Sequence, residues 1–174
     1  MPSARGNLPW QPAAAQLDLL ADPVAAVLGA QAPDALVTPI DPDLADTAAF
    51  CAAYDVALES SANCIVVAGR RGGETTYAAV MVLATDRADV NGAVRRHLDV
   101  RKISFAPMAE AVELTGMEYG GITPVGLPSS WRVLVDERVL TAEEVVIGSG
   151  LRRSKLLIPT TTLVGLPTAE VLPA

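Results

Sequence analysis

The sequence predicts a mixed α/β (α+β) fold, with a single, mostly antiparallel sheet and helices packed on it. Three observations lead there. Strand-like apolar runs outnumber helical ones, and short strands separated by turn signals favour a sheet covered by helices. Two of those runs, Asn63–Ala68 and Thr75–Ala84, flank Arg70-Arg71-Gly72-Gly73 as the strands of a hairpin flank its turn. Composition agrees: 51% of the 174 residues are hydrophobic but only 4% aromatic, so the core is built from Val, Leu, Ile and Ala. That length suits one domain with a sizeable interior.

The elements follow in order. Residues 1–21 read as a loosely attached arm. Asp22-Pro23 ahead of Val24–Leu28 and Gly29 predicts a short helix, with an N-cap, a proline in the first turn and a glycine stop. Residues 31–43 hold three prolines and three acids and read as an extended acidic linker. The chain thus divides into an N-terminal arm, 1–43, and a domain, 44–174. Leu44–Tyr54 is a helix, apolar at Ala48, Cys51 and Ala52. After the hairpin, Asp89 caps a helix running to about Leu98. Arg101–Phe105 is a strand, and Pro107–Thr115 a helix ended by Gly116. Strands follow at Arg132–Val135, Val145–Ile147 and Leu156–Ile158. The tail, Thr160–Pro173, is a short helix or an irregular return.

Charge is unevenly placed. Residues 1–60 carry eight acids and one base (Arg5), the whole of the net −7, whereas residues 61–174 are neutral. Nine of the thirteen bases fall in four clusters: Arg70-Arg71, Arg95-Arg96, Arg101-Lys102, and Arg152-Arg153 with Lys155. An acidic chain is a poor general nucleic-acid binder, because phosphate contact is mainly electrostatic. The clusters either hold a few phosphates or form solvated turns. Cys51 and Cys64 lie in apolar segments and read as buried free thiols in a reducing cytoplasm. One histidine (His97) and no paired-Cys spacing argue against structural zinc. No apolar run approaches the ~20 residues of a bilayer span, and no basic region followed by an apolar run opens the chain. A cytoplasmic protein is the expectation.

The segment Gly120-Gly121-Ile122-Thr123-Pro124-Val125-Gly126-Leu127-Pro128 packs three glycines and two prolines into nine residues. Glycine permits positive φ and close approach, and proline stiffens what surrounds it. Such a loop either makes a tight connection or aims bare N–H groups at a developing oxyanion.

In sequence order, Arg101-Lys102-Ile103-Ser104-Phe105-Ala106, Thr115-Gly116, Gly120–Gly126, Leu134-Val135-Asp136 and Gly148-Ser149-Gly150 with Arg152 resemble the YbaK/EbsC family. This is the editing-domain family associated with prolyl-tRNA synthetase. The resemblance covers roughly residues 44–165. It implies a strongly bent sheet and a freestanding aminoacyl-tRNA deacylase that hydrolyses the ester of a mischarged tRNA. Its Gly-x-x-x-Pro loop corresponds to Gly120–Pro124. By similarity, that loop places the terminal ribose and the ester carbonyl, N–H groups near Gly120 stabilise the oxyanion, and a ribose hydroxyl assists the attacking water. No metal or organic cofactor is implied. The implied partners are the 3′ end of an aminoacyl-tRNA and an aminoacyl-tRNA synthetase, with no membrane, for a monomer or weak dimer.

The family's active-site lysine normally opens the first hairpin strand, where this chain has Asn63-Cys64. Exchanging a charged hydrogen bond for a neutral one costs about 1–1.5 kcal/mol, roughly tenfold in rate. Lys102 either reaches the pocket and partly substitutes, or ends its strand facing water. Gly120, Asn63 and Lys102 are therefore the catalytic candidates. The substrate-binding candidates are Gly121, Ile122, Thr123, Pro124, Gly126, Asp136, Gly148, Ser149, Gly150 and Arg152. Asp136 either supports the Gly148–Gly150 turn or meets a substrate amine, since a lone carboxylate is costly to bury. Thr123 bonds the ligand or caps its own turn. Met117 and Tyr119 line an amino-acid pocket or pack in the core. His97 reads as a surface residue.

Three readings of function remain. One is a trans-editing deacylase. A second is a homologue that binds an aminoacyl end or a synthetase without hydrolysis, which Asn63 and the acidic N-terminal third favour. The third is an unrelated small-molecule hydrolase, disfavoured by the lack of a recognisable nucleophile and base.

Overall fold

The computed structural model describes residues 2–174. Among the described residues nine strands and five α-helices form a mixed α/β fold. In chain order they are β1 (Gln11–Pro12), α1 (Asp22–Gln31), β2 (Leu36–Pro39), α2 (Thr47–Tyr54), β3 (Ala62–Arg71), β4 (Glu74–Leu83) and α3 (Arg95–Leu98). Then come β5 (Lys102–Phe105), α4 (Met108–Thr115), β6 (Arg132–Asp136), β7 (Glu144–Gly148), β8 (Ser154–Pro159), α5 (Thr160–Val164) and β9 (Ala169–Leu172).

What the pattern reads as one sheet is hydrogen-bonded as two. The first has the order β1-β2-β8-β7 and is antiparallel throughout. The second has the order β5-β3-β4-β6-β9, with β4, β6 and β9 parallel. An isolated bridge between Ser61 and Val146 joins them.

The hairpin is as expected, but its strands are longer. Arg70 and Arg71 belong to β3, and only Gly72 and Gly73 turn, at φ +58° and +83°. Two successive positive-φ residues suit the right-handed twist of the flanking strands. β4 is central and apolar on both faces, as a strand covered on each side should be. Ala79, Met81 and Leu83 join the core between the sheets. Ala78, Val80 and Val82 pack with Leu98 of α3 and with Val94 just before it.

The N-terminal segment departs from the expected arm and linker. Ala13 and Leu20 are buried, Arg5 pairs with Glu144, and β1 and β2 extend the first sheet. The prolines hide β2, yet Pro39 lies at its end, beyond the reach of two-residue β1, where a missing N–H costs nothing. α1 runs through Gly29 to Gln31, because burial of Val24 and Leu28 outweighs one glycine's helix penalty of about 1 kcal/mol. The tail is also more regular than expected, adding α5 and then β9 beside β6. Glu170 on β9 bonds Arg132 twice and His97 once, and this pairing draws its carboxyl down to about 2. Among the described residues no helix is long and apolar enough to cross a membrane.

Candidate active site

A cleft of about 430 Å³ opens where the two sheets meet. Its walls are Ala45–Thr47 at the start of α2, Ala62–Val66 of β3, Phe105 at the end of β5, Ala106 just after it, and Ala111 of α4. Tyr119, Gly120, Ile122, Gly148 and Lys155 complete it. Among the described residues none before 45 lines it, and the segment expected to be an arm packs behind the loop. A Cβ at Gly126 would lie 2.6 Å from the Pro23 carbonyl oxygen, and one at Gly150 2.4 Å from Ala21 Cβ.

The loop's backbone follows from its hydrogen bonds. The Gly121 N–H donates to the Glu118 carbonyl at 3.0 Å, closing a turn whose third residue, Gly120, has φ +89°. Positive φ there is the mark of a type II turn and selects glycine. The Gly121 carbonyl accepts from the Gly150 N–H at 2.7 Å, and the Tyr119 carbonyl accepts from Arg152 Nη1 at 3.5 Å. In a trans peptide C=O and N–H point in opposite directions. The Ile122 N–H therefore faces away from Gly150 and the Gly120 N–H away from the Arg152 guanidinium, and neither is bonded within the described chain. Both residues line the cleft.

Of the candidates read from sequence, Asn63, Gly120, Ile122 and Gly148 come together in this cleft. Asn63 Oδ1 accepts from the Thr47 hydroxyl, which leaves Nδ2 as its free donor. Lys102 does not reach the cleft. It is exposed at the far end of β5 opposite Arg70, three residues from Phe105, or about 10 Å of strand. Thr123 is fully buried, its N–H toward Met117 Sδ, and does not line the cleft. Pro124 faces a separate small hollow beside Gln31 and Leu166. The Gly126 N–H is bonded to Gln31 Oε1. Asp136 neither bonds the glycine turn nor lines the cleft. It caps the turn after β6 and pairs with Arg138, which lowers its pKa. The Ser149 hydroxyl is buried against Ser154 and the Leu151 carbonyl. Gly150, at φ +89°, abuts Ala21 and Val24. Arg152 is a clamp at the rim, with Nη2 on the Pro42 carbonyl, its N–H on Glu118 and Nη1 3.9 Å from Asp46.

One cleft residue is missed by the sequence reading, which placed Lys155 among surface bases. It is 8% exposed, and its Nζ donates to the Ala45 carbonyl at 3.0 Å, 5.2 Å from the centre of the Phe50 ring. Desolvation pushes it down to about 8. The signal was its phase. Lys155 shares a strand face with Leu157, which packs on Phe50, whereas Arg152 and Arg153 lie in the preceding turn. Cys64, also in the cleft wall, is pushed up to about 12 by burial and is a neutral thiol, not a nucleophile.

The model of a family described as the aminoacyl-tRNA editing domain matches residues 41–166. No curated protein matches the chain. Among solved structures, a candidate trans-editing enzyme for prolyl tRNA synthetase is similar over 88% of this chain and 94% of its own, at 23% identity and TM-score 0.76. A scaffold protein used in computational epitope grafting is similar over 88% and 95%, at 21% identity and TM-score 0.76. The hypothetical protein APE2540 is similar over 86% and 98%, at 23% identity and TM-score 0.73. At these identities the structural likeness is one of fold.

Proposed function

The chain belongs to the aminoacyl-tRNA editing-domain family, and from that premise we propose that it is a trans-acting deacylase of mischarged tRNA. The observation that carries the reading is that two loop residues lining the cleft, Gly120 and Ile122, keep N–H groups with no hydrogen-bond partner in the described chain. The ester carbonyl seats its oxygen between them. Water adds to the carbonyl carbon with help from the neighbouring ribose hydroxyl. The C–O ester bond breaks, the 3′-terminal oxygen takes up a proton, and the free amino acid leaves. Oriented amides stabilise the oxyanion without reorganising at the moment of reaction. Asn63 Nδ2 donates to the terminal ribose, and Asp46, open at the rim, suits the substrate's α-ammonium. The scheme uses no metal or organic cofactor, and its substrate is found in the cytoplasm.

Two large aromatic side chains stand exposed at the cleft mouth, Phe105 at 63% and Tyr119 at 52%. They suit the terminal base of the single-stranded 3′ end, where stacking is worth about 1–3 kcal/mol per base. Phe105→Ala is expected to raise KM roughly 5- to 150-fold and leave kcat within about twofold. Steady-state kinetics at fixed salt check this, and an unchanged KM removes Phe105 from the binding surface.

Incubation with a panel of mischarged and correctly charged tRNAs tests the function itself. At least one mischarged tRNA is expected to lose its amino acid well above the spontaneous rate. Asn63, a neutral residue where the resembling family has lysine, favours a second reading, binding without hydrolysis. Retained binding with ester loss from no tRNA selects it.

A further inference from the structure

Lys155 is the single cation that lines the cleft among the described residues. Its position follows from the strand register. Lys155 on β8 is paired directly with Gly148 on β7, and directly opposed residues of an antiparallel pair share a face. A Cβ at Gly148 would lie 2.5 Å from the Gly121 carbonyl oxygen and 2.7 Å from that of Ile122. Gly148 therefore lets the loop backbone press onto the face from which the lysine stem rises. The lysine and the two residues with free amides, Gly120 and Ile122, thus line one hollow.

The lysine is also poorly explained as a structural residue. Nζ has one bonded partner, the Ala45 carbonyl, and among the described residues no carboxylate pairs with it. A buried ammonium satisfied only in part destabilises a fold. Around it stand Cys51 of α2, a thiol raised by burial; Cys64 of β3, also neutral; Asp46, exposed before α2; Arg152, in the turn before β8; and Tyr119 on the loop. None of them neutralises it within the cleft.

Resting on the deacylase reading, we propose that Lys155 is a catalytic residue whose ammonium donates to the oxyanion formed at the substrate's ester carbon, opposite the amides of Gly120 and Ile122. The group acts as a fixed cation and moves no proton. Burial pushes it down to about 8, so the acting form is lost as pH rises through that value. The enzyme-dependent rate is expected to fall there, after subtraction of spontaneous ester hydrolysis. The same depression makes the unfolded chain bind more protons between about 8 and the ordinary lysine value of 10.5. Stability therefore rises with pH across that interval.

The test separates this role from hydrolysis as such. Two adenosine analogues are titrated against wild type, Lys155→Met and Lys155→Arg. One carries an anionic tetrahedral phosphonate in place of the ester, the other a neutral amide. The expected result is that Lys155→Met loses roughly 10- to 100-fold in affinity for the phosphonate, binds the amide as wild type does, and melts no lower than wild type at pH 7. Lys155→Arg keeps most of the phosphonate affinity. In wild type the Lys155 Nζ resonance shifts on phosphonate binding, a readout independent of any variant's folding. With a hydrolysed tRNA, Lys155→Met lowers kcat by a similar factor and loses the fall near pH 8. Equal phosphonate affinity in wild type and Lys155→Met overturns the proposal, as does failure of the phosphonate to bind wild type or an unmoved Nζ resonance. Lys155-dependent phosphonate binding without turnover of any tRNA would instead count against the deacylase reading and leave the anion site standing.

Discussion

Gly120→Ala is expected to lower kcat by about 10²–10³-fold while the protein stays folded. The loss has two sources. Gly120 has φ +89°, where a side chain costs about 1–3 kcal/mol of backbone strain. An added Cβ would also lie 2.2 Å from Arg152 Nη1. The arginine must then move, loosening its bonds to the Tyr119 and Pro42 carbonyls. The first of them holds the Tyr119–Gly120 peptide, which carries the Gly120 N–H. Removing one oxyanion donor typically costs 10²–10³-fold in kcat, and misplacing it by about 1 Å costs about 10². Single-turnover hydrolysis alongside a thermal melt checks this. A folded variant with wild-type kcat would show that these amides are not the working surface.

Phe50→Ala carries the largest expected stability effect, about 3–5 kcal/mol, the usual range for deleting a buried aromatic ring. Phe50 is fully buried, packs on Tyr54 at a centroid distance of 5.4 Å, and shares a cluster with Val146 and Leu157. A domain whose total stability is about 5–15 kcal/mol loses a large part of it. The change reaches the cleft as well, because Phe50 supports Lys155 and anchors α2, whose Thr47 bonds Asn63. Denaturant unfolding at pH 7 measures the loss, and a change below about 1 kcal/mol would contradict this placement of the ring.

Much of the second sheet was legible because its signals are local. The continuous apolar runs of β3 and β4, the paired glycines between them, the Asp89 cap and the Gly116 stop each act within a few residues. β2 was hidden because its prolines read as linker, and only its pairing with β8 makes it a strand. β9 was hidden because four residues at a sheet edge carry almost no pattern of their own. The site divides in the same way. Gly120 stands out from its glycine-rich surroundings, yet which of the loop's N–H groups stay free depends on Gly150 and Arg152, about thirty residues away in the chain. Ser149 and Asp136 look chemical in sequence, but their polar atoms are used up by Ser154 and Arg138. Lys155 looks like one of a run of surface bases until the register places it beside Gly148.

The most direct measurement follows the amide resonances of ¹⁵N-labelled protein during titration with a 3′-aminoacyl adenosine whose ester is replaced by an amide. The Gly120 and Ile122 N–H signals are expected to move downfield together and saturate with the ligand, while Gly121 and Gly126, already bonded, move far less. Saturable binding that leaves the Gly120 and Ile122 signals in place would contradict the assignment of the oxyanion site to this loop.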